Sequence, residues 1–289
     1  MKRQILNIIA VVILFSAVFT SCKKEKDEEE VKMMTLTTSA PGEVYISLAG
    51  TEMAAIDWGD GSEKETKTLT PSEPPIGIGS NNIIFRHDYY GTGICTIRIY
   101  GNNITGLYCS SNQISSLEVN NNTALKYLSC WGNQLTNLDV SNNVALSELE
   151  CSYNQLTNLE VGNNIALKYL GCDGNQLMSL DVSNNSALII LRCKGIQLTS
   201  LDVGNNTALK FLYCQDNQLK SLDVSNNTVL WRFNCSNNLF DTAALNVLFS
   251  TLHGNTIDWA TVYIGDNPGT DDCNLSIATE KGWMISLFE

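Results

Sequence analysis

Seven cysteines stand at positions 109, 130, 151, 172, 193, 214 and 235, each 21 residues after the last. Thiols at a fixed interval could pair as disulfides, hold a metal, or sit buried as small apolar groups. If the interval is one structural repeat, the thiols stack on successive strands about 4.8 Å apart. A disulfide prefers Cβ atoms at about 3.8 Å, and parallel side-chain vectors make that closure awkward. An odd-numbered column also cannot pair completely. Zinc uses close Cys pairs or Cys/His spacings, and neither occurs here. Reduced, buried thiols are the expectation.

Two other columns carry chemistry at the same interval. Counting from Leu125 as position 1, position 15 is always acidic: Glu118, Asp139, Glu160, Asp181, Asp202 and Asp223. A like-charge column costs stability unless solvent, cations or a basic partner screens it. It reads either as a solvated edge that blocks sheet-to-sheet aggregation or as a surface for a basic partner. Positions 2, 3, 5, 7 and 8 vary and are rich in rings: Tyr108, Tyr127, Trp131, Tyr153, Tyr169, Phe211, Tyr213 and Trp231. Tyr127, Tyr169 and Phe211 share position 3 in every second repeat, hence about 10 Å apart. Rings beside polar groups are common material for recognition, and these eight are the candidate ligand-binding residues.

Catalytic chemistry is not expected. Both histidines, His87 and His253, lie outside the repeats, and His87 reads as a hydrogen-bonded structural residue. The sequence contains no G-x-S-x-G, H-E-x-x-H or phosphate-binding glycine loop. Asp57 and Asp60 stand beside glycines, but their spacing does not fit an EF-hand loop. Asp266, Asp271 and Asp272 read as turn formers. No catalytic residue, metal or cofactor is assigned, and the chain is expected not to be an enzyme.

The elements that hold these columns follow from the repeat itself. One unit reads Leu125-x-x-Leu128-x-Cys130-x-x-Asn133-x-Leu135-x-x-Leu138-Asp139-Val140-x-Asn142-Asn143-x-Ala145. This resembles the leucine-rich repeat with Cys in place of the last strand leucine, over residues 104–240. The resemblance implies a solenoid of short parallel strands, an inward asparagine at the corner, and a binding scaffold. The unit also divides into similar halves, Leu-Leu-Cys-Asn and Leu-Leu-Val-Asn. Two strands per coil are therefore expected, near Leu128–Cys130 and Leu138–Val140, with asparagine ladders at both corners. A fixed period of this kind buries backbone groups that must be paired, and an inward amide can pair them. Ile196 stands where asparagine belongs, so its corner should be weaker or differently hydrated.

The flanks complete the organisation. Lys2 and Arg3 precede an apolar run from Ile5 to Phe19 that ends in Thr20-Ser21-Cys22, the pattern of a signal peptide over 1–21. Phe19-Thr20-Ser21-Cys22 resembles the lipobox of bacterial lipoproteins. The resemblance implies a lipid on Cys22 and attachment to a membrane through it; with the acidic-rich block after it, which looks like a surface-export signal, the expected location is the outer membrane, facing the cell exterior. Residues 22–32 form a charged tether, read equally as a plain spacer or as a surface-export signal. Over 33–103 the alternation in Val44–Leu48 and Cys95–Tyr100 predicts short strands. Asp57-Trp58-Gly59-Asp60-Gly61-Ser62, His87-Asp88-Tyr89 and Gly93 make this segment similar to the PKD-like β-sandwich, a spacer or adhesion module. Residues 241–289 should close the stack. Asp241 is expected to N-cap a helix over 242–252, followed by strands near 261–264 and 284–288 around a short helix near 273–281. This segment looks like the terminal α/β cap of such bacterial repeat lipoproteins.

Composition agrees with a mainly β chain. Charged residues are 17% of the 289, against a norm of about 25%, while asparagine numbers 32. Asparagine competes with the helical backbone for hydrogen bonds. A net charge of −12 argues against nucleic acid as a partner, since that mode needs clustered Lys and Arg. The expected function is a lipid-anchored, monomeric surface protein that binds a protein or glycan through its repeat face. The alternatives are an envelope spacer without a ligand, or an accessory glycan-binding protein of an uptake system.

Overall fold

A computed structural model describes residues 32–39, 42–71, 82–90, 93–255 and 258–287. The leader over 1–21, Cys22 and the charge run to Glu30 lie outside the described residues. From Lys32 to Glu289 the chain forms one compact unit.

The repeats wind into a β-solenoid of the leucine-rich repeat kind. Strands β7 (Ile104–Tyr108), β9 (Tyr127–Ser129), β10 (Glu148–Glu150), β11 (Tyr169–Gly171), β12 (Ile190–Arg192), β13 (Phe211–Tyr213) and β14 (Arg232–Asn234) stack in parallel. After them come β15 (Thr261–Tyr263) and β16 (Met284–Ser286), which extend the same sheet. Parallel strands need a long return path, and the rest of each 21-residue turn supplies it. Registration is exact to the repeat position: Glu148 lies beside Tyr169, Leu149 beside Leu170, and Glu150 beside Gly171. The middle leucine of β9 to β13 and Phe233 of β14 point inward and are buried, as are the Cys at position 6 and the leucines and valine of the return path.

Only the first half of each coil forms a ladder. The second strand expected near Leu138–Val140 does not form; the return path is joined to its neighbour by isolated backbone bonds, such as Gln155 N–H to Leu135 O at 2.8 Å, except in the first repeat. There β8 (Ile114–Glu118) pairs with a strand from the N-terminal segment. Asp139, Asp181, Asp202 and Asp223 each accept the N–H two residues on through Oδ1, from Ser141, Ser183, Gly204 and Ser225, at 2.8–2.9 Å. Each of these Asp side chains closes a local turn at the corner. The leucine-valine half thus matches the strand half in pattern while differing in hydrogen bonding.

The N-terminal segment contains β1 (Met33–Thr38), β2 (Gly42–Gly50), β3 (Met53–Asp57), β4 (Glu65–Thr68), β5 (Ile83–Tyr89) and β6 (Cys95–Tyr100). They fall into two sheets, and each sheet runs on into the solenoid. The order β4-β3-β6-β1 continues to β8, and β5-β2 continues to β7 and the parallel stack. Both junctions are antiparallel, with Leu36 opposite Leu117 and Leu48 opposite Leu107. At the other end, α1 (Thr242–Thr251) is N-capped by Asp241, whose Oδ1 accepts from Ala244 N at 2.8 Å. It buries Leu245, Leu248 and Phe249, and α2 (Ser276–Thr279) is a single turn before β16.

Asparagines fasten the corners. At position 9, Asn175 accepts from Leu156 N at 3.0 Å and donates to Cys151 O and Cys172 O at 3.1 and 3.0 Å. Asn133, Asn154, Asn217, Asn238 and Asn267 repeat this bridge between turns. Ile196 has no acceptor to offer Leu177 N–H, so the bridge is interrupted at that turn.

Candidate functional site

Positions 3 and 5 flank each inward leucine, so their side chains stand out from the strand face. In-register stacking makes two columns. Position 3 reads Gly106, Tyr127, Glu148, Tyr169, Ile190, Phe211 and Arg232; position 5 reads Tyr108, Ser129, Glu150, Gly171, Arg192, Tyr213 and Asn234. Rungs with an aromatic at position 3 therefore alternate with rungs that carry Glu148, Ile190 or Arg232 there.

The eight candidate residues fall into separate groups. Tyr108, Tyr127 and Tyr169 line a cleft of about 60 Å³ with Ser129, Glu148 and Glu150, over Leu128. The Glu150 carboxylate is fixed in it: the Tyr169 hydroxyl donates to Oε2, and Ser152 N–H donates to Oε1 at 2.9 Å. Gly171 leaves the room for this, since a Cβ there would stand 2.8 Å from Glu150 Cδ. Burial, then the Glu150 charge, pushes the Tyr169 hydroxyl far above its ordinary range. Burial likewise pushes Tyr108 up to about 12.

Farther along the face, Phe211 and Trp231 meet edge to face with centroids 5.2 Å apart. Tyr213 carries the Arg192 guanidinium 5.4 Å from its ring centre. Arg192 is held by Asp173, with Nη2 and Nε at 2.9 and 3.0 Å from Oδ2. Lys194 N–H also donates to the buried Asp173, at 2.7 Å. Burial raises the Asp173 carboxyl, while the Lys194 N–H and Arg192 pull it back. In the same manner Arg232 lies 5.1 Å from the Tyr263 ring centre and donates to its hydroxyl at 2.7 Å.

Trp131 and Tyr153 form a third group, where the chain leaves the strands. Their rings meet edge to face at 5.7 Å, and they are 42% and 51% exposed. Tyr153 occupies a left-handed backbone position, φ 55°, where neighbouring turns place Gly132 and Gly174. A bulky residue rarely adopts that conformation.

Elsewhere the expected structural readings find a geometry. His87 Nε2 lies 2.7 Å from Asp60 Oδ2, and its ring stacks on Trp58 at 4.9 Å. Hydrogen bonds from Ser62, and then His87, hold Asp60 down near about 2. The seven repeat cysteines are buried free thiols. Among the described residues no cluster of three metal-ligating side chains occurs.

The charged rungs were not singled out by sequence reasoning. Their signal was there: Lys126-Tyr127, Lys168-Tyr169 and Lys210-Phe211 recur in alternate repeats, and Glu148, Glu150, Arg192 and Arg232 fill the repeats between.

No protein-family model matches this chain, and no curated protein matches it. Solved structures do. The functional domain of InlJ from Listeria monocytogenes, described as including a cysteine ladder, is 27% identical with a TM-score of 0.36, covering 61% of this chain and 47% of that one. The internalin inlF of Listeria monocytogenes is 20% identical with a TM-score of 0.48, covering 63% of this chain and 60% of that one. The leucine-rich repeat ectodomain of the plant receptor kinase GASSHO1/SCHENGEN3 from Arabidopsis thaliana is 23% identical with a TM-score of 0.44, covering 55% and 21%. In each case less than two thirds of the solved chain is spanned.

Proposed function

We propose that this protein is a lipid-anchored surface protein that binds a protein partner across its strand face. The supporting observation is the face itself. Aromatic side chains and fixed charges alternate on one rigid parallel sheet, and their identity changes from turn to turn. Positions 13 and 15 repeat with little change and cannot tell one place on the rod from another. Half-buried rings offer contact area at small entropic cost, and the sheet holds them before binding, which spares ordering costs. In this reading the lipid sits on Cys22, the charge run is a tether, and the PKD-like segment and C-terminal cap close the two ends. The chain acts by recognition, without catalysis.

A second reading, glycan recognition, has its own observation. Tyr153 is held beside Trp131 in a conformation that costs on the order of 1–3 kcal/mol, and exposed rings are natural platforms for sugars.

One experiment separates these readings. The purified protein is probed on protein and glycan arrays alongside Tyr169→Ala/Phe211→Ala, Trp131→Ala/Tyr153→Ala and Asp181→Asn/Asp202→Asn. Loss of a buried aromatic anchor typically costs about 2 kcal/mol, or about 30-fold in affinity. The first variant should lose protein capture while its melting transition stays put, and the third should change only salt dependence. Glycan capture lost with the second variant would favour the other reading. Protein capture that survives the first variant and fails with the third would place binding on the acidic column instead. In cells, Cys22→Ala should leave the membrane fraction.

A further inference from the structure

We infer that the strand face takes a partner segment in the polyproline II conformation, with a proline and an acidic residue side by side at every third position. This rests on the strand face being the binding surface, and it names the kind of segment that surface fits.

The face has a period of two turns. Lys126-Tyr127, Lys168-Tyr169 and Lys210-Phe211 occupy positions 2 and 3 of alternate repeats. In-register pairing runs Tyr127, Glu148, Tyr169, Ile190, Phe211 across neighbouring strands. Successive Lys-aromatic pairs therefore stand about 9.5 Å apart along the stack. A partner segment lying along the stack must repeat at that distance to use more than one pair. Polyproline II does, since three residues at a rise of about 3.1 Å make one turn of about 9.3 Å. Two turns of α-helix span about 10.8 Å, and a β-strand returns to the same face about every 6.7 Å, between the pairs. Over the roughly 19 Å from Tyr127 to Phe211, the helix is out by about 2.5 Å and polyproline II by about 0.5 Å.

The chemistry of the pairs fits the same segment. Tyr127, Tyr169 and Phe211 are half-buried, and a row of rings is the kind of surface on which proline-rich segments dock. Such a segment is extended before it binds and loses little entropy on docking. Phe211 is set against Trp231 and the Tyr169 hydroxyl on Glu150, so these rings are in place before a partner arrives. The lysines add charge. Arg192 and Lys194 are taken up by Asp173 and Asp216, whereas the exposed Lys126, Lys168 and Lys210 have no ion pair among the described residues. Between them at position 2 stand the uncharged Ser147 and Ile189. The rung after Lys126 carries Glu148 and Glu150. A partner acid at every turn would meet Glu148, and one at every second turn meets lysine. That is the three-residue period again.

The test is fluorescence anisotropy of labelled nonapeptides titrated with the purified protein. One peptide repeats Pro-Glu-Gln three times, a second repeats Pro-Gln-Gln, and a third has the composition of the first in an order without period. The first should bind saturably and about tenfold more tightly than either of the others, since three exposed ion pairs together are worth about that factor. Lys126→Gln/Lys168→Gln/Lys210→Gln changes only exposed side chains, so it should fold as before and remove the advantage of the first peptide over the second. Added salt should do the same, and Tyr169→Ala/Phe211→Ala should weaken both peptides. Equal binding of the first and third peptides, or an advantage that survives the lysine variant, would overturn the proposal. So would lysine-dependent capture of polygalacturonate with no capture of any peptide, because the row would then serve an acidic glycan. If the peptides fail while Tyr169→Ala/Phe211→Ala still abolishes protein capture, the proposal falls and the wider face reading stands alone. If the first peptide binds as expected but protein capture ignores that aromatic variant, the face reading fails and the polyproline II site remains.

Discussion

A thiol buried in an apolar column can ionise only when the fold opens around it. Burial pushes Cys109 up to about 12 and raises the other ladder cysteines well above their ordinary value. In the unfolded chain each returns to about 8.5. Because the folded value is the higher one, the stabilising contribution is full below about pH 8.5 and is lost as pH rises above it. Each thiol then steepens the loss by up to about 1.4 kcal/mol per pH unit. The urea midpoint should therefore fall sharply between about pH 8.5 and 10, before the tyrosines of an unfolded chain join in. Cys151→Ala/Cys172→Ala should flatten that slope by two thiols' share, whatever it does to stability at pH 7. A slope equal to that of the unsubstituted protein would mean the column is not thiol. At this scale the ladder was legible, because one spacing repeated through seven registers admits few explanations. The Glu150–Tyr169–Gly171 contact was not, because it depends on how far one side chain reaches across to the next turn.

Two asparagine columns look alike in sequence and do different work as parts of the coil. At position 9 the amide is used at both ends, as Asn175 is with Leu156 N, Cys151 O and Cys172 O. At position 19 only the nitrogen is used: Asn185 donates to Val161 O and Asn164 O at 3.0 Å. Its Oδ1 is buried with no hydrogen-bond partner among the described residues. Orphaning a buried backbone group costs about 1–3 kcal/mol. Asn175→Leu leaves an N–H and shared carbonyls behind, so it should cost about 3 kcal/mol or more. Asn185→Leu also removes an unpaired oxygen and should cost about half as much. Urea midpoints of the two variants give the comparison, and an equal or inverted order would contradict this division of labour. Hydrophobic pattern reports which side chains face inward, and it reported both halves correctly. It is silent on which of the two halves pairs its backbone with the next turn, as Glu148–Glu150 does and Leu138–Val140 does not.

At the scale of the whole molecule, the N-terminal strands were read as a separate module over 33–103, yet their two sheets are continuous with the solenoid. The junctions pair β1 with β8 and β2 with β7, segments far apart in sequence and without periodicity, so nothing in the chain's pattern announces them. The repeat region gave itself away because its contacts are between neighbours one period apart. This continuity has a mechanical consequence. Ile104, Leu107, Ile114 and Leu117 are buried in the first turn, and β7 and β8 would present open edges if the strands before them were removed. Open, apolar edges invite pairing with other chains, and a solenoid end without cover exposes its interior. Removing residues 1–31 should leave the melting transition unchanged, since the compact unit begins at Lys32. Removing residues 1–103 should instead give a species that binds a hydrophobic dye, self-associates in size-exclusion chromatography and loses cooperative melting. A monomeric 104–289 fragment melting like the 32–289 fragment would show that the first turn closes itself, and that the N-terminal strands are a spacer after all.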